Sequence, residues 1–182
     1  HGAGKGSWAD NGYSEAEGLT DQRDAAVVLG RLPAAAANYK KTQQPFFIGL
    51  GFHKPHLRWD FPREYLDNIP EAVPEAVHQA YPADKPDIAW HECAEMSVSF
   101  YDTDGNGAPP LQGKYNPRWQ SIVRRAYYAC ISYVDSLIGD VLDALETNGV
   151  AEDTVVSFIG DHGWNLGEFD IWYPRQCLEI AR

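Results

Sequence analysis

Residues 154–172 read TVVSFIGDHGWNLGEFDIW, and this stretch decides the fold. The β-branched, apolar run over 154–159 has the length and composition of a buried strand, and it stops at Asp161-His162-Gly163. The polar pair then sits at the strand's carboxyl end, where open α/β sheets hold their ligands. An adjacent carboxylate and imidazole at a strand terminus offer a hard oxygen and a neutral nitrogen to a divalent metal. The same dipeptide also suits an ordinary turn, in which the Asp side chain accepts local backbone hydrogen bonds.

Working back from that strand, the chain shows a long helix. Asn116-Pro117 supplies an N-cap side chain and a proline at the first helical position. Ile122, Ala126, Cys130, Val134, Leu137, Val141 and Leu145 then recur at three- or four-residue steps, and Gly149 is placed for a left-handed cap, so a helix is predicted over 116–148. Its length suits packing across a whole sheet, and Tyr127, Tyr128 and Tyr133 read as packing residues in or beside its stripe. Helix, short turn and strand make the αβ unit of a parallel-sheet fold.

A second strand is predicted over 46–52, FFIGLGF, running directly into His53-Lys54-Pro55-His56. Gly49 and Gly51 weaken an ordinary strand and point to close approach of another group to the backbone. For His56 the plain alternative is a surface loop histidine, and for Lys54 a solvated cation. Two strands in one parallel sheet, each ending in a histidine-bearing loop, bring both loops to the same edge. Ahead of this strand, Ala25, Val28, Leu29 and Leu32 repeat with helical period from Thr20, with Asp21 suited to the helix dipole. Pro33 is expected to kink or break that helix, and the alanine-rich piece over 34–41 to continue it as a cover for the sheet. Residues 1–19 read as loop.

The 182 residues suffice for one domain with a substantial core, and 44% hydrophobic content excludes a disordered chain. A net charge of −11 argues against a nucleic-acid or anionic-membrane partner. No apolar run is long enough to span a bilayer, and the first residues lack a signal peptide's pattern. The opening without Met reads as a processed or partial chain. Cys93, Cys130 and Cys177 form no Cys-x-x-Cys spacing and leave one thiol unpaired in any scheme. The segment 57–116 is proline-rich and aperiodic, suited to shaping a cleft or packing as an ornament. Its Asp102-Thr103-Asp104-Gly105-Asn106-Gly107 opens like a calcium-binding EF-hand loop but has Gly113 at the twelfth position, so it reads as a polar turn. His78 and His91 have no partner at ligand spacing and read as structural.

In these residues the sequence resembles a formylglycine-type sulfatase of the alkaline phosphatase superfamily, nearest to iduronate-2-sulfatase-like enzymes. The resemblance rests on LTDQRDAA, PFFIGLGFHKPHLRWDFPREY, RRAYYACISYVDSLIGDVLDAL and DHGWNLGEFDIW, in that order. It implies an α/β fold, a mixed but largely parallel sheet flanked by helices, with residues 1–182 forming the later part of the catalytic domain. It also implies that Asp161 and His162 are two ligands of a calcium ion whose others lie upstream. His56, with neighbours His53 and Lys54, resembles the active-site group that contacts the sulfate and its bridging oxygen. A formylglycine made from Cys or Ser in a Cys/Ser-x-Pro-x-Arg motif serves as nucleophile in that family. The implied substrate is a sulfated carbohydrate, the implied compartment secreted, lysosomal or periplasmic, and a further partner is the remainder of the same polypeptide.

Two departures bear on activity. No Cys/Ser-x-Pro-x-Arg motif occurs, and the upstream Asp-Asp metal pair is missing, so the isolated chain is expected to be inactive. The loop after Trp172 reads Tyr173-Pro174-Arg175, with proline where relatives carry lysine and Phe169 where they carry histidine. Arg175 takes the substrate-binding role only if that loop shifts by one residue, and arginine holds charge without serving as a proton donor. The leading reading is a sulfuric ester hydrolase for sulfated sugars. The runner-up is a non-catalytic module that binds sulfated glycans or acts structurally, and a third is phosphoester or phosphonate hydrolysis.

Overall fold

The computed structural model describes residues 18–84, 86–89 and 117–172. Its regular elements are helices α1 (Thr20–Thr42), α2 (Arg63–Asp67) and α3 (Pro117–Thr147), with short 3-10 turns at Asp87–Ala89, Ala151–Asp153 and Glu168–Asp170.

Helix α1 buries Asp21, Ala25, Val28, Leu32 and Ala36, one stripe at helical spacing, and this stripe packs on α3. Pro33 does not break it, contrary to the sequence expectation. Pro33 lies on the exposed face, so its ring meets solvent and the helix forgoes only one internal hydrogen bond. Leu32 and Ala36, on either side of the proline, share a buried cluster with Leu145 and Val150, which holds both halves of α1 in line. The helix ends at Gln43, whose left-handed φ of 60° lets its N–H close on the Tyr39 carbonyl at 2.8 Å.

Helix α3 runs 31 residues, close to the predicted span. Asn116, its expected N-cap, lies outside the described residues. At the other end Gly149 has φ 60°, its N–H reaches Glu146 O at 2.8 Å, and Val150 N–H reaches Leu145 O at 3.1 Å. That pair of bonds is the Schellman closure that glycine makes possible. The buried stripe contains most of the predicted one and is wider. Ala126, Cys130, Val134, Leu137 and Leu145 face inward as predicted, joined by Trp119, Val123, Ala129 and Tyr133, whereas Ile122 and Val141 are only half-buried. Tyr133 and Tyr127 pack as expected, but Tyr128 is 37% exposed.

Between α1 and α3 the proline-rich segment forms the single turn α2, which docks on α3 by its edges. The Tyr65 hydroxyl lies 2.7 Å from Ser136 Oγ, and Arg125 Nη2 donates to the Leu66 and Ile69 carbonyls at 3.3 and 3.0 Å. The larger core joins Leu57, Trp59 and Phe61 from the segment before α2 to the first half of α3 and to Trp172.

The predicted strands form no ladder among the described residues, and the helices therefore pack on each other there rather than on a sheet. Residues 46–52 still alternate. Phe46, Leu50 and Phe52 are half-buried while Phe47 is 94% exposed. Residues 155–159 are turned out more completely, with Val155 at 95%, Phe158 at 79% and Ile159 at 83% exposure. A strand is stable only when its backbone groups and apolar face find partners, so a side chain here contributes nothing to this chain's own core. Val155→Asp is therefore expected to shift the stability of the 182-residue chain by less than about 0.5 kcal/mol. Leu32→Ala, which empties a site 1% exposed, is expected to cost about 2–5 kcal/mol. Urea denaturation of the two variants checks the contrast.

Candidate active site

The His53-Lys54-Pro55-His56 turn is built on the first turn of α1. Asp21 is fully buried, and its Oδ1 accepts the His53 N–H at 2.5 Å while Oδ2 accepts the Lys54 N–H at 3.3 Å. Lys54 folds back over the same carboxylate, with Nζ 3.7 Å from Oδ2 and its side chain 6% exposed. The helix N-terminus adds its own positive end to these three donors, so a buried carboxylate is held without an unmet charge. Of the sequence-predicted site residues, Lys54 is thus turned inward, whereas His53 and His56 face outward.

The two imidazoles share one acceptor. His53 Nε2 lies 3.1 Å and His56 Nδ1 2.7 Å from the Leu57 carbonyl oxygen, and the rings stand 4.8 Å apart. A carbonyl accepts only, so each of these nitrogens carries its proton toward it. His53 Nδ1 and His56 Nε2 remain as the ring atoms that can meet a substrate. The His56 N–H donates to His53 O at 3.0 Å, closing the turn that keeps the rings side by side.

The second loop is brought to the first by aromatic packing. Trp59 is 0% exposed, donates its indole N–H to Pro55 O at 2.6 Å, and packs edgewise on Trp164 at 5.2 Å and on Tyr127 of α3 at 5.6 Å. His56 lies three residues before Trp59 and His162 two before Trp164. The indole pair therefore ties the histidine turn to the Asp161-His162 tip at the side of α3. Burial first, and the nearby Cys130 and Glu168 second, push the Tyr127 hydroxyl up to about 12, which keeps this packing residue neutral. Burial likewise pushes the Cys130 thiol far up, leaving it an inert core group.

Asp161 and His162 sit exposed on that tip. His162 Nε2 is 3.8 Å from Asp161 Oδ2, and the His162 N–H donates to Asp161 Oδ1 at 2.9 Å. One carboxylate and one imidazole on a solvent-facing tip fit part of a divalent-cation shell. Calcium takes six to eight ligands, and among the described residues no three His, Cys, Asp or Glu side chains gather as a metal site.

Beyond the tip, the chain is clamped to α3 by Arg124. This residue is 3% exposed, its Nε donates to Leu166 O at 3.0 Å, and its guanidinium lies 5.1 Å from the Trp172 ring centroid. Glu168 turns back so that Oε2 accepts the Leu166 N–H at 2.5 Å. Phe169 N–H donates to His78 O at 2.6 Å, and the two rings are stacked 5.9 Å apart, so His78 is structural by packing on this loop. Arg175, Pro174, His91, Cys93, Cys177 and the 102–107 turn lie outside the described residues.

Sequence reasoning passed over Asp21, Trp59 and Arg124. Asp21 carried only the signal of an acidic first turn, and the RWDF and RRAYY segments offered no spacing that distinguishes an anchor from an ordinary surface residue.

Two loops bearing imidazoles and a carboxylate thus stand beside a long helix. The chain belongs to the sulfatase family, whose profile, Sulfatase, matches residues 11–177. It is 30% identical over 143 residues to iduronate 2-sulfatase of Mus musculus, covering 78% of this chain and 26% of that protein. Over 146 residues it is 35% identical to a sulfatase of Formosa agariphila, covering 79% of this chain and 26% of that protein. A shorter match, 41% over 56 residues, relates 31% of this chain to 11% of choline-sulfatase of Rhizobium meliloti. The chain thus spans 26% of the length of the first curated relatives it matches. The family's fold is α/β and alkaline phosphatase-like.

Gly167 tests the clamp. Its φ is +109°, and a Cβ there would lie 2.8 Å from Arg124 Nη2 and 2.9 Å from Trp172 Cζ2. The arginine is pinned at Leu166 and against the indole, so it has little room to yield. Gly167→Ala is expected to cost about 2–4 kcal/mol, joining left-handed strain to overpacking. Thermal or urea unfolding measures it.

Proposed function

We propose that residues 1–182 form the later part of the catalytic domain of a sulfuric ester hydrolase acting on sulfated sugars or glycans. The observation that supports this reading is the Trp59–Trp164 contact, which links the segment carrying the histidine turn to the segment carrying Asp161 and His162. In this account residues 46–52 and 154–159 are strands of the family's sheet, completed by chain outside these residues. Their exposed apolar side chains support it.

In hydrolysis of an alkyl or sugar sulfate, an oxygen nucleophile forms a bond to sulfur while the sulfur–oxygen bond to the alcohol breaks. The alcohol oxygen leaves with the bonding pair and needs a proton. His56, with His53 beside it, is the donor in this reading, acting as the imidazolium, which keeps its Nδ1 proton on Leu57 O and gives up the proton on Nε2. Asp161 and His162 would hold one side of a calcium ion, which when bound neutralises charge on the sulfate oxygens. The formylglycine nucleophile belongs to a motif this chain does not contain. Arg175 is the substrate-binding cation if its loop is shifted by one residue relative to the lysine position that Pro174 occupies. The compartment is secreted, lysosomal or periplasmic. No helix among the described residues is long and apolar enough to cross a membrane, and the charge of −11 disfavours nucleic acid.

The sequence departure at Pro174 favours the second reading, a sulfated-glycan-binding module without turnover. The full-length protein, in wild-type and Pro174→Lys forms, separates them when assayed on aryl and sugar sulfates with and without calcium. The expected result is weak, calcium-dependent turnover by wild type, and none above background by residues 1–182 alone. Pro174→Lys is expected to raise turnover of poor leaving groups by on the order of a hundredfold, the scale of one cation opposite an oxyanion. No turnover by either full-length form, with sulfated glycan still bound, selects the binding module. Calcium-dependent turnover by the 182-residue chain refutes the partial-site reading.

A further inference from the structure

Among the described residues Asp21 is the one acidic side chain that is wholly buried, and both of its oxygens serve a single segment. Oδ1 takes the His53 N–H at 2.5 Å and Oδ2 the Lys54 N–H at 3.3 Å. Two consecutive backbone amides held by one rigid carboxylate define the position and plane of the peptide between them. That peptide leads into the turn whose carbonyl, Leu57 O, orients both imidazoles. Lys54, 3.7 Å from Oδ2 and buried, compensates the carboxylate's charge. A carboxylate serving stability alone would be met equally well by a surface partner, since buried ion pairs contribute little net stability over apolar packing.

We infer that Asp21 is a positioning residue for His53 and His56, with the Lys54 ammonium neutralising Asp21 rather than facing substrate. The inference rests on the proposal that this turn belongs to a sulfate-ester site. The carboxylate reaches the turn from a helix 32 residues earlier in the chain, so it fixes the rings against α1 and α3 instead of against a flexible neighbour. Asparagine cannot replace it, because the two N–H groups are received by separate oxygens and an amide puts an NH2 donor in place of one of them.

The experiment uses the full-length protein with Asp21→Asn and the double variant Asp21→Asn/Lys54→Met, the second removing the ammonium that the first leaves buried without a counter-charge. Amide hydrogen exchange at His53 and Lys54, kcat and KM on an aryl sulfate, and the unfolding midpoint are measured together. Asp21→Asn is expected to lose protection at these two amides while amides in the core of α3 keep theirs, a local rather than global opening. Its kcat is expected to fall by about a hundredfold with KM within about threefold, the scale of a misplaced catalytic group. The double variant is expected to regain its unfolding midpoint without regaining protection at His53 or turnover. Wild-type kcat in Asp21→Asn, retained protection at both amides, or full recovery of activity and protection in the double variant would each overturn the inference. Should the wild-type protein hydrolyse no sulfate ester while Asp21→Asn still loses protection at His53 and Lys54, the anchoring stands and the sulfatase reading is what falls.

Discussion

Buried Trp59 meets the half-buried Trp164 at 5.2 Å and Tyr127 at 5.6 Å, and most of what positions the site depends on that contact. Large aromatic rings bury extensive apolar surface and prefer edge-to-face geometry, so they set both distance and angle between the segments that carry them. Here the segments are two loops that no ladder joins among the described residues. The indole N–H of Trp59 adds direction by bonding Pro55 O within the histidine turn. Helix α3 supplies the rigid wall, because its long uninterrupted stripe is already committed to the core.

Two buried charged side chains complete the arrangement, and each is satisfied in a different way. Asp21 collects backbone amides, an ammonium and a helix terminus. Arg124 gives its donors to a carbonyl and a glutamine oxygen, and its face to an indole. Burying a charge without such partners is costly, so these side chains constrain their loops more strongly than their modest net contribution to stability suggests. Both hold backbone that leads directly to an imidazole or carboxylate of the candidate site.

The apolar residues at 155–159 show what local pattern conveys and what it leaves open. Their composition is that of a buried strand, yet Val155 and Ile159 stand almost wholly exposed. Strand pairing is a relation between distant segments, and a run of valine and isoleucine names no partner. Residues 46–52 keep the inward-outward alternation without a ladder, since Phe46 and Phe52 have helix surfaces to rest on.

From the sequence alone came the family, the two histidine-bearing loops, and helices over 20–41 and 116–148, because motif chemistry and helical period are local properties. Sequence periodicity drew α3's buried stripe too narrow, leaving out Trp119, Val123 and Ala129, since how wide a face is covered depends on what packs there. It also overstated Pro33, whose outward-facing ring leaves the helix intact once Leu32 and Ala36 are pinned. Only the tertiary structure decided that Lys54 turns inward to Asp21 while His53 and His56 turn outward. That choice follows from a carboxylate 33 residues away, and no local propensity records which of three neighbouring cationic or titratable side chains a distant buried charge will claim.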